Sequence, residues 1–191
     1  MGFDREQMKM KAAELAAKGV FIGTSSWKYQ GWLGQFYTPS RYEYRGKVAT
    51  TRFERGCLTE YSEVFKTVCV DAAYYAFPSH KYLQGLISQV PSDFRFGFKV
   101  TDQISIKKFP NFPRFGDRAG KPNDQFLNAR LFEDAFLKTC EPFRSQIGLL
   151  IFEFSRFHSA DYEHGREFVA DIDKFLSGLP NRERDSPARS A

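Results

Sequence analysis

Short apolar runs alternate with stretches of helical periodicity along most of the chain. The four runs that have the character of buried strands are residues 20–24, "TVCVDAAYY" at 67–75, "FRFGFKV" at 94–100 and "IGLLIFEF" at 147–154. Strands that alternate with helices indicate parallel βα units. The pattern therefore predicts an α/β fold. It leaves two arrangements open, a closed (β/α) barrel and an open doubly wound sheet.

The stretches between these runs predict helices. The charged segment 1–19 predicts an N-terminal amphipathic helix, and residues 51–65 predict a second helix. Ser79 is a favourable N-cap for a third. The apolar stripes that support the helices are Phe53, Cys57, Leu58, Tyr61 and Phe65; Tyr82, Leu83, Leu86 and Ile87; Phe126, Leu127, Ala135 and Phe136; and Phe168, Val169, Ile172, Phe175 and Leu176.

The two later strands differ in their side-chain pattern. In residues 94–100 the phenylalanines and Val100 alternate with Arg95, Gly97 and Lys99, which predicts one buried face. Residues 147–154 are apolar at nearly every position, which is typical of a strand covered on both sides. No G-x-G-x-x-G motif follows the first strand, so the sequence does not support a dinucleotide-binding fold.

The composition excludes few classes of function. The chain has 191 residues, a formal net charge of +5 and 17% aromatic residues, enough for one sizeable core. The charge fits nucleic acid or phosphorylated ligands, and equally many proteins that bind neither. Three distant cysteines argue against a disulfide framework, and no signal peptide or membrane span is recognisable. We therefore expect a cytoplasmic protein.

Charged residues occur where three of the predicted strands end. Asp71, Lys99 and Glu153 would converge at the carboxyl edge of a parallel sheet, where active sites of such folds lie. A lysine flanked by carboxylates can hold an anion, transfer protons or form a Schiff base. These three residues are the catalytic candidates. The alternative is a structural ion pair.

Two loops are candidate binding elements. The segment "FIGTSSWKYQGWLGQFY" carries Trp27 and Trp32 among glycines, which suggests a pocket rim or, alternatively, a cap over the core. The loop 101–124 interleaves cations with phenylalanines, a combination that suits phosphates and bases. In the alternative interpretation its phenylalanines only anchor the loop. The phosphate or nucleic-acid candidates in it are Lys107, Lys108, Arg114, Arg118 and Lys121.

No cofactor or metal is predicted. The three histidines are scattered, and no Cys/His spacing is typical of a zinc site. Neither a P-loop nor a nucleophile elbow is present.

The "IGTSSW…GW…FY" motif, with "FKTVCVDAAYYAFP", "VPSDFRFGFKV" and "IGLLIFEFSRFH", resembles the YecE-like family, domain of unknown function 72. The resemblance extends from about residue 20 to 179. It implies a TIM-barrel-like (β/α) fold and no particular activity. It places Thr24, Trp27, Trp32, Tyr37 and Tyr75 as ligand-binding candidates at the strand ends.

Family members continue into further βα units after the fourth helix. By this resemblance we expect residues 20–180 to form the N-terminal half of a barrel, with about four βα units. Residues 181–191 are then a disordered or frameshifted tail. Open barrel edges would favour a homodimer or aggregation.

The leading functional hypothesis is a pocket for an anionic or phosphorylated small molecule, and whether it catalyses a reaction is left open. The alternatives are nucleic-acid binding through the loop 101–124 and an inactive truncated barrel.

Overall fold

A parallel sheet of four strands organises the fold. Residues 3–180 are described by a computed structural model, and the predicted tail at 181–191 lies outside them. The strands are β1 Gly23–Thr24, β2 Glu43–Tyr44, β3 Lys47–Val48, β4 Thr67–Val70, β5 Arg95–Lys99 and β6 Ile147–Ile151. The large sheet has the order β1-β4-β5-β6, and β2 and β3 form a separate antiparallel pair.

Helices precede, connect and follow the strands of the large sheet. They are α1 Arg5–Ala17, α2 Thr50–Ser62, α3 Ala72–Tyr75, α4 His80–Ile87, α5 Asp102–Ser105, α6 Ala129–Phe132, α7 Lys138–Cys140 and α8 Gly165–Ser177. Between α6 and α7 the helix widens into a π-helical turn, Glu133–Leu137. Short 3-10 turns occupy Gln30–Trp32, Pro39–Arg41, Pro113–Arg118 and Glu141–Gln146. Among residues 3–180, no helix has both the length and the apolar character that crossing a membrane requires.

The strand order follows the chain order, and all three pairings are parallel. A doubly wound sheet reverses its strand order at a switch point, whereas consecutive strands of a (β/α) barrel are neighbours. The predicted α/β class and parallel βα units are confirmed. The order of the strands is that of consecutive barrel strands.

The chain divides into two compact units. The first comprises the residues up to Lys99 together with Cys140–Ile151, and so contains all six strands. The second comprises Val100–Thr139 and the residues from Phe152 onward.

The core of the first unit lies on one face of the sheet. The phenylalanines of β5 and the residue before it are buried, as are Val68 and Val70 of β4, which confirms the predicted alternation. The buried face of α2 supplies Phe53, Cys57, Leu58 and Tyr61.

The opposite face is less covered. Leu149 of β6 is 54% exposed. The prediction that this strand is covered on both sides is therefore wrong. The physical reason is local: β6 is an outer strand, and Leu149 pairs with Gly97, which has no side chain to shield it.

The first strand is shorter than its sequence indicates. Only Gly23 and Thr24 pair with β4, while the three apolar residues before them are largely exposed: Val20, Phe21 and Ile22. β1 is the other outer strand of the described sheet, so within residues 3–180 it has a neighbour on one side only. Gly23 is required at this position, because a Cβ atom there would lie 1.9 Å from the carbonyl oxygen of Thr67.

Three helices depart from or refine the sequence interpretation. Helix α1 forms as predicted, with Ala12 buried and with Met8 and Leu15 partly buried on the same side of the helix. Phe126 and Leu127 precede α6, whose N-cap is Asn128. The Ser79 N-cap of α4 is confirmed, since its side chain accepts a hydrogen bond from the backbone N–H of Tyr82.

The second unit is held together by aromatic side chains. Phe132 contacts Phe136, Phe152 and Phe175 with ring centroids 5.3 to 5.6 Å apart. A second cluster joins Phe126, Phe154, Phe157, Tyr162 and Phe168. These clusters anchor the last helix, α8, through Phe168 and Phe175.

Candidate functional site

Two of the predicted catalytic residues meet at the ends of adjacent strands. The Nζ atom of Lys99 lies 3.3 Å from Oδ1 of Asp71, and both side chains are partly exposed. The Sγ atom of Cys69 lies 3.7 Å from the same carboxylate oxygen. The ammonium, the carboxylate and the thiol therefore form a small cluster at the carboxyl ends of β4 and β5.

The other strand-end candidates are placed differently. Strand β6 ends at Ile151, and Glu153 follows it as an exposed residue of the second unit. Its convergence with the pair in the first unit stays a prediction. Tyr75 does not extend the strand: it is the last residue of the short helix α3, and it is exposed.

Trp27 and Tyr37 of the first loop are core residues, with exposures of 7% and 1%. The Tyr37 hydroxyl donates a hydrogen bond to the backbone carbonyl of Trp27. Burial raises the pKa of Tyr37 above its ordinary value. The backbone turns between them at Gly34, whose φ of +80° is a conformation that glycine adopts readily.

Thr24 and Trp32 lie at a surface cleft instead. It has a volume of about 270 Å³ and is lined by Phe3, Thr24, Trp32, Gln35, Phe36 and Phe65. This lining has no charged side chain, so its chemistry suits an apolar ligand better than an anion. The backbone N–H of Thr24 donates to the Tyr61 hydroxyl at 2.9 Å, which holds the end of β1 against α2.

The loop 101–124 is folded back on itself. The backbone N–H of Phe109 donates to the carbonyl of Lys121, and that of Gly120 donates to the carbonyl of Phe109, both at 3.0 Å. The Asn123 side-chain amide donates to the carbonyls of Gln103 and Ile106. Backbone and side-chain hydrogen bonds thus close the loop across its base.

Three of its cations stack on aromatic rings. The guanidinium carbon of Arg114 lies 4.4 Å from the centroid of Phe115, and that of Arg118 lies 4.6 Å from Phe109. Both rings are buried. Lys107 lies 3.3 Å from the Tyr162 ring centroid and 3.7 Å from a carboxylate oxygen of Asp171, so an acid already balances its charge.

The same loop forms one wall of a second cleft, which we call the basic cleft and which has a volume of about 670 Å³. The lining comprises Lys107, Lys108, Phe109, Pro110, Asn111, Phe112, Ala119, Gly120, Lys121, Ser155, Arg156, Phe157, His158 and Asp161. Within the part of the chain that the structure describes, no carboxylate pairs with Lys108, Lys121 or Arg156. The acid of the lining, Asp161, accepts a hydrogen bond from the backbone N–H of His158 at 2.9 Å.

The sequence indicated the wall of the basic cleft that the loop 101–124 forms, but not the wall that contains Arg156. Lys108 and Lys121 lie in the loop that it singled out, whereas Arg156 comes more than thirty residues later. The available signal was "FSRFH" at 154–158, which repeats the mixture of cations and phenylalanines found in the loop.

A buried carboxylate lies at the base of the loop. Asp102, the first residue of α5, is nearly inaccessible, and its Oδ1 atom finds no hydrogen-bond partner among the described residues. Burial raises the pKa of Asp102, and the nearby charges of Arg118 and Arg114 act in the opposite direction. The sequence alone did not indicate this group.

These features define an α/β protein with a parallel sheet, a polar cluster at the strand ends and a separate basic cleft. The chain belongs to the family described as "Protein of unknown function DUF72", which it matches over residues 21–184. This confirms the resemblance to domain of unknown function 72.

The chain is similar to the crystal structure of a DUF72 family protein from Enterococcus faecalis V583, with 22% sequence identity and a TM-score of 0.42. The match covers 64% of this chain and 41% of that one, so this chain spans less than half of the structure that it resembles. No curated protein matches the chain.

Proposed function

We propose that the chain binds a phosphorylated ligand in the basic cleft. One observation carries this proposal: Lys108, Lys121 and Arg156 line a single cleft, and no carboxylate of the described chain pairs with them. Lysine and arginine are the usual protein partners of phosphate oxygens.

The arrangement favours an anion for an electrostatic reason. Cations that share one concave site repel each other, and low-dielectric walls concentrate their field. A bound phosphate relieves this repulsion and replaces water as the hydrogen-bond acceptor. A volume of about 670 Å³ also lies within the range of about 300 to 1,000 Å³ typical of small-molecule sites.

The test is a calorimetric titration of the full chain with inorganic pyrophosphate. Lys121→Gln and Arg156→Gln are each expected to weaken binding about tenfold or more. Arg130→Gln is the matched control, because this second-unit arginine is 92% exposed and does not line the cleft. Failure of pyrophosphate to bind, or equal losses in all three variants, would contradict the proposal.

The strand-end cluster supports a second candidate function, a site for a small anion or for proton transfer. Lys99 and Asp71 are in contact and both are partly exposed, so a ligand can reach them. Glu153 remains the third proposed member of this set. The expected result is that Lys99→Gln abolishes pyrophosphate binding at a site that Lys121→Gln leaves intact. A titration unchanged by Lys99→Gln would exclude anion binding at this cluster.

A further inference from the structure

We infer that the ligand of the basic cleft is a nucleotide, whose base stacks on Phe112 while its phosphate contacts the cations of the cleft. This inference rests on the proposed function and adds the chemical class of the ligand. The shared chemistry is a nucleobase joined to a phosphate, either as a free nucleotide or within a single strand of nucleic acid.

Phe112 differs from the other phenylalanines of the loop. Phe109 and Phe115 are buried and lie under guanidinium groups, whereas Phe112 is 58% exposed and lines the cleft. Among residues 3–180, no aromatic ring and no cation packs on Phe112. Its ring therefore presents an open face beside the unpaired cations.

The backbone holds Phe112 in a fixed place. Its N–H donates to the carbonyl of Pro110 at 2.8 Å, and its own carbonyl accepts from the N–H of Phe115 at 3.0 Å. Pro110 and Pro113 each restrict φ to one narrow range. The exposed ring thus lies on a constrained turn, and little backbone entropy remains to be lost when a ligand stacks on it.

The neighbourhood distinguishes this ring from an ordinary exposed phenylalanine. Single exposed apolar side chains are common and need no ligand to explain them. Here the ring lies in the same cleft as Lys108, Lys121 and Arg156. Proteins that bind nucleotide units combine cations for the backbone phosphates with aromatic faces on which bases stack. Both elements are present in one cleft of suitable volume.

The experiment compares ligands that differ only in the base. The full chain is titrated with adenosine 5′-monophosphate, uridine 5′-monophosphate and ribose 5-phosphate. Both nucleotides are expected to bind at least tenfold more tightly than ribose 5-phosphate. Phe112→Ala should abolish this difference and leave ribose 5-phosphate binding unchanged, and Phe112→Trp should preserve it.

Tyr44→Ala serves as the matched control, because Tyr44 is an exposed aromatic residue of the first unit. If ribose 5-phosphate binds as tightly as the nucleotides, or if Phe112→Ala has no effect, the inference is overturned while the proposed function stands. If no phosphate compound binds, the proposed function fails as well. Unchanged thermal unfolding of Phe112→Ala would show that the substitution leaves the fold intact.

A second arm separates the two sources of this chemistry. A single-stranded DNA of ten thymidines is titrated at two salt concentrations beside thymidine 5′-monophosphate. Tighter binding of the oligonucleotide with a steep salt dependence identifies a nucleic acid as the ligand. Equal binding per molecule identifies the free nucleotide. If neither thymidine compound binds more tightly than ribose 5-phosphate, the inference is overturned.

Discussion

The hydroxyl group of Tyr42 donates a hydrogen bond of 2.6 Å to the Oε2 atom of Glu60. The other carboxylate oxygen of Glu60 accepts from the backbone N–H and the hydroxyl of Thr38, at 3.0 and 2.7 Å. Glu60 is 1% exposed, so this one side chain of α2 fixes the segment that leads from the first loop towards that helix.

Glu60→Ala is expected to lower the free energy of unfolding by about 2 to 4 kcal/mol. The reason is that the substitution leaves the buried Tyr42 hydroxyl without its acceptor, at about 1 to 3 kcal/mol, and removes both hydrogen bonds of Thr38. Urea denaturation measures the change. Glu54→Ala on the same helix is the control, because Glu54 is exposed and its replacement should change stability by less than about 0.5 kcal/mol. Equal effects of the two substitutions would show that the Glu60 hydrogen bonds do not stabilise the fold.

Asp102 should make stability depend on pH. Burial raises the pKa of this carboxyl in the folded state, so folding favours its protonated form. Its contribution is complete below the unfolded-state pKa, about 4, and is lost as the pH rises through the higher folded-state pKa. Asp102→Asn should therefore become more stable relative to the unmodified chain between pH 4 and pH 7.

Asp134→Asn should change the pH dependence of stability in the opposite direction, and Asp134 lies in the same unit as Asp102. Lys138 lowers the pKa of Asp134 by a hydrogen bond and by its charge, so this carboxylate stabilises the fold above its unfolded-state pKa. Relative to the unmodified chain, Asp134→Asn should lose stability as the pH rises from about 2 to about 4, the range below its unfolded-state pKa, and should change little between pH 4 and pH 7. Urea denaturation at about pH 2, pH 4 and pH 7 measures both variants. Parallel pH profiles for the two would refute the assignment.

The three thiols should differ in reactivity. Cys57, Cys69 and Cys140 form no disulfide within residues 3–180, and only Cys69 is partly exposed. Burial raises the pKa of Cys57 and of Cys140 to about 11, which suppresses the reactive thiolate. Iodoacetamide at pH 8 is expected to label one thiol in the folded chain and three in urea, as counted by mass spectrometry. Cys69→Ser should abolish the native-state labelling; rapid labelling that persists in this variant would contradict the prediction.

Because the outer strands of the sheet are unpaired on one side among the described residues, we expect copies of the chain to associate with each other. β6 pairs with one neighbour in the sheet and exposes Leu149, which offers both backbone groups and apolar surface to a second copy. Leu149→Lys should shift the sedimentation profile towards the monomer. Leu176→Lys is the control, because Leu176 is equally exposed at 54% but lies on α8. If the unmodified chain sediments as a monomer, or if both substitutions act alike, the prediction is wrong.

The sequence predicted those features of the fold that depend on residues close together in the chain. The alternation through Phe94, Phe96 and Phe98 predicted the buried face of β5, and Ser79 predicted the start of α4. In both cases the signal is a periodicity or a cap geometry contained within a few residues. The alternating order of strands and helices likewise predicted the parallel βα units, and the motifs of the first loop indicated the family.

Features that depend on distant parts of the chain were decided by the tertiary structure. The sequence marked Trp27, Trp32, Thr24 and Tyr37 as one group, but packing places two of them in the core and two at a cleft. Residue type alone does not say which side chain finds a partner, as the Tyr37 hydroxyl finds the Trp27 carbonyl.

The basic cleft is the clearest case. Lys108 and Lys121 are brought together by the backbone hydrogen bonds that close their loop, and Arg156 joins them only because the second unit folds around its aromatic clusters. Composition determined that cations and phenylalanines would be abundant. Which of them would be paired, stacked or left open was decided by long-range packing, because each cation's environment depends on groups far away in the chain.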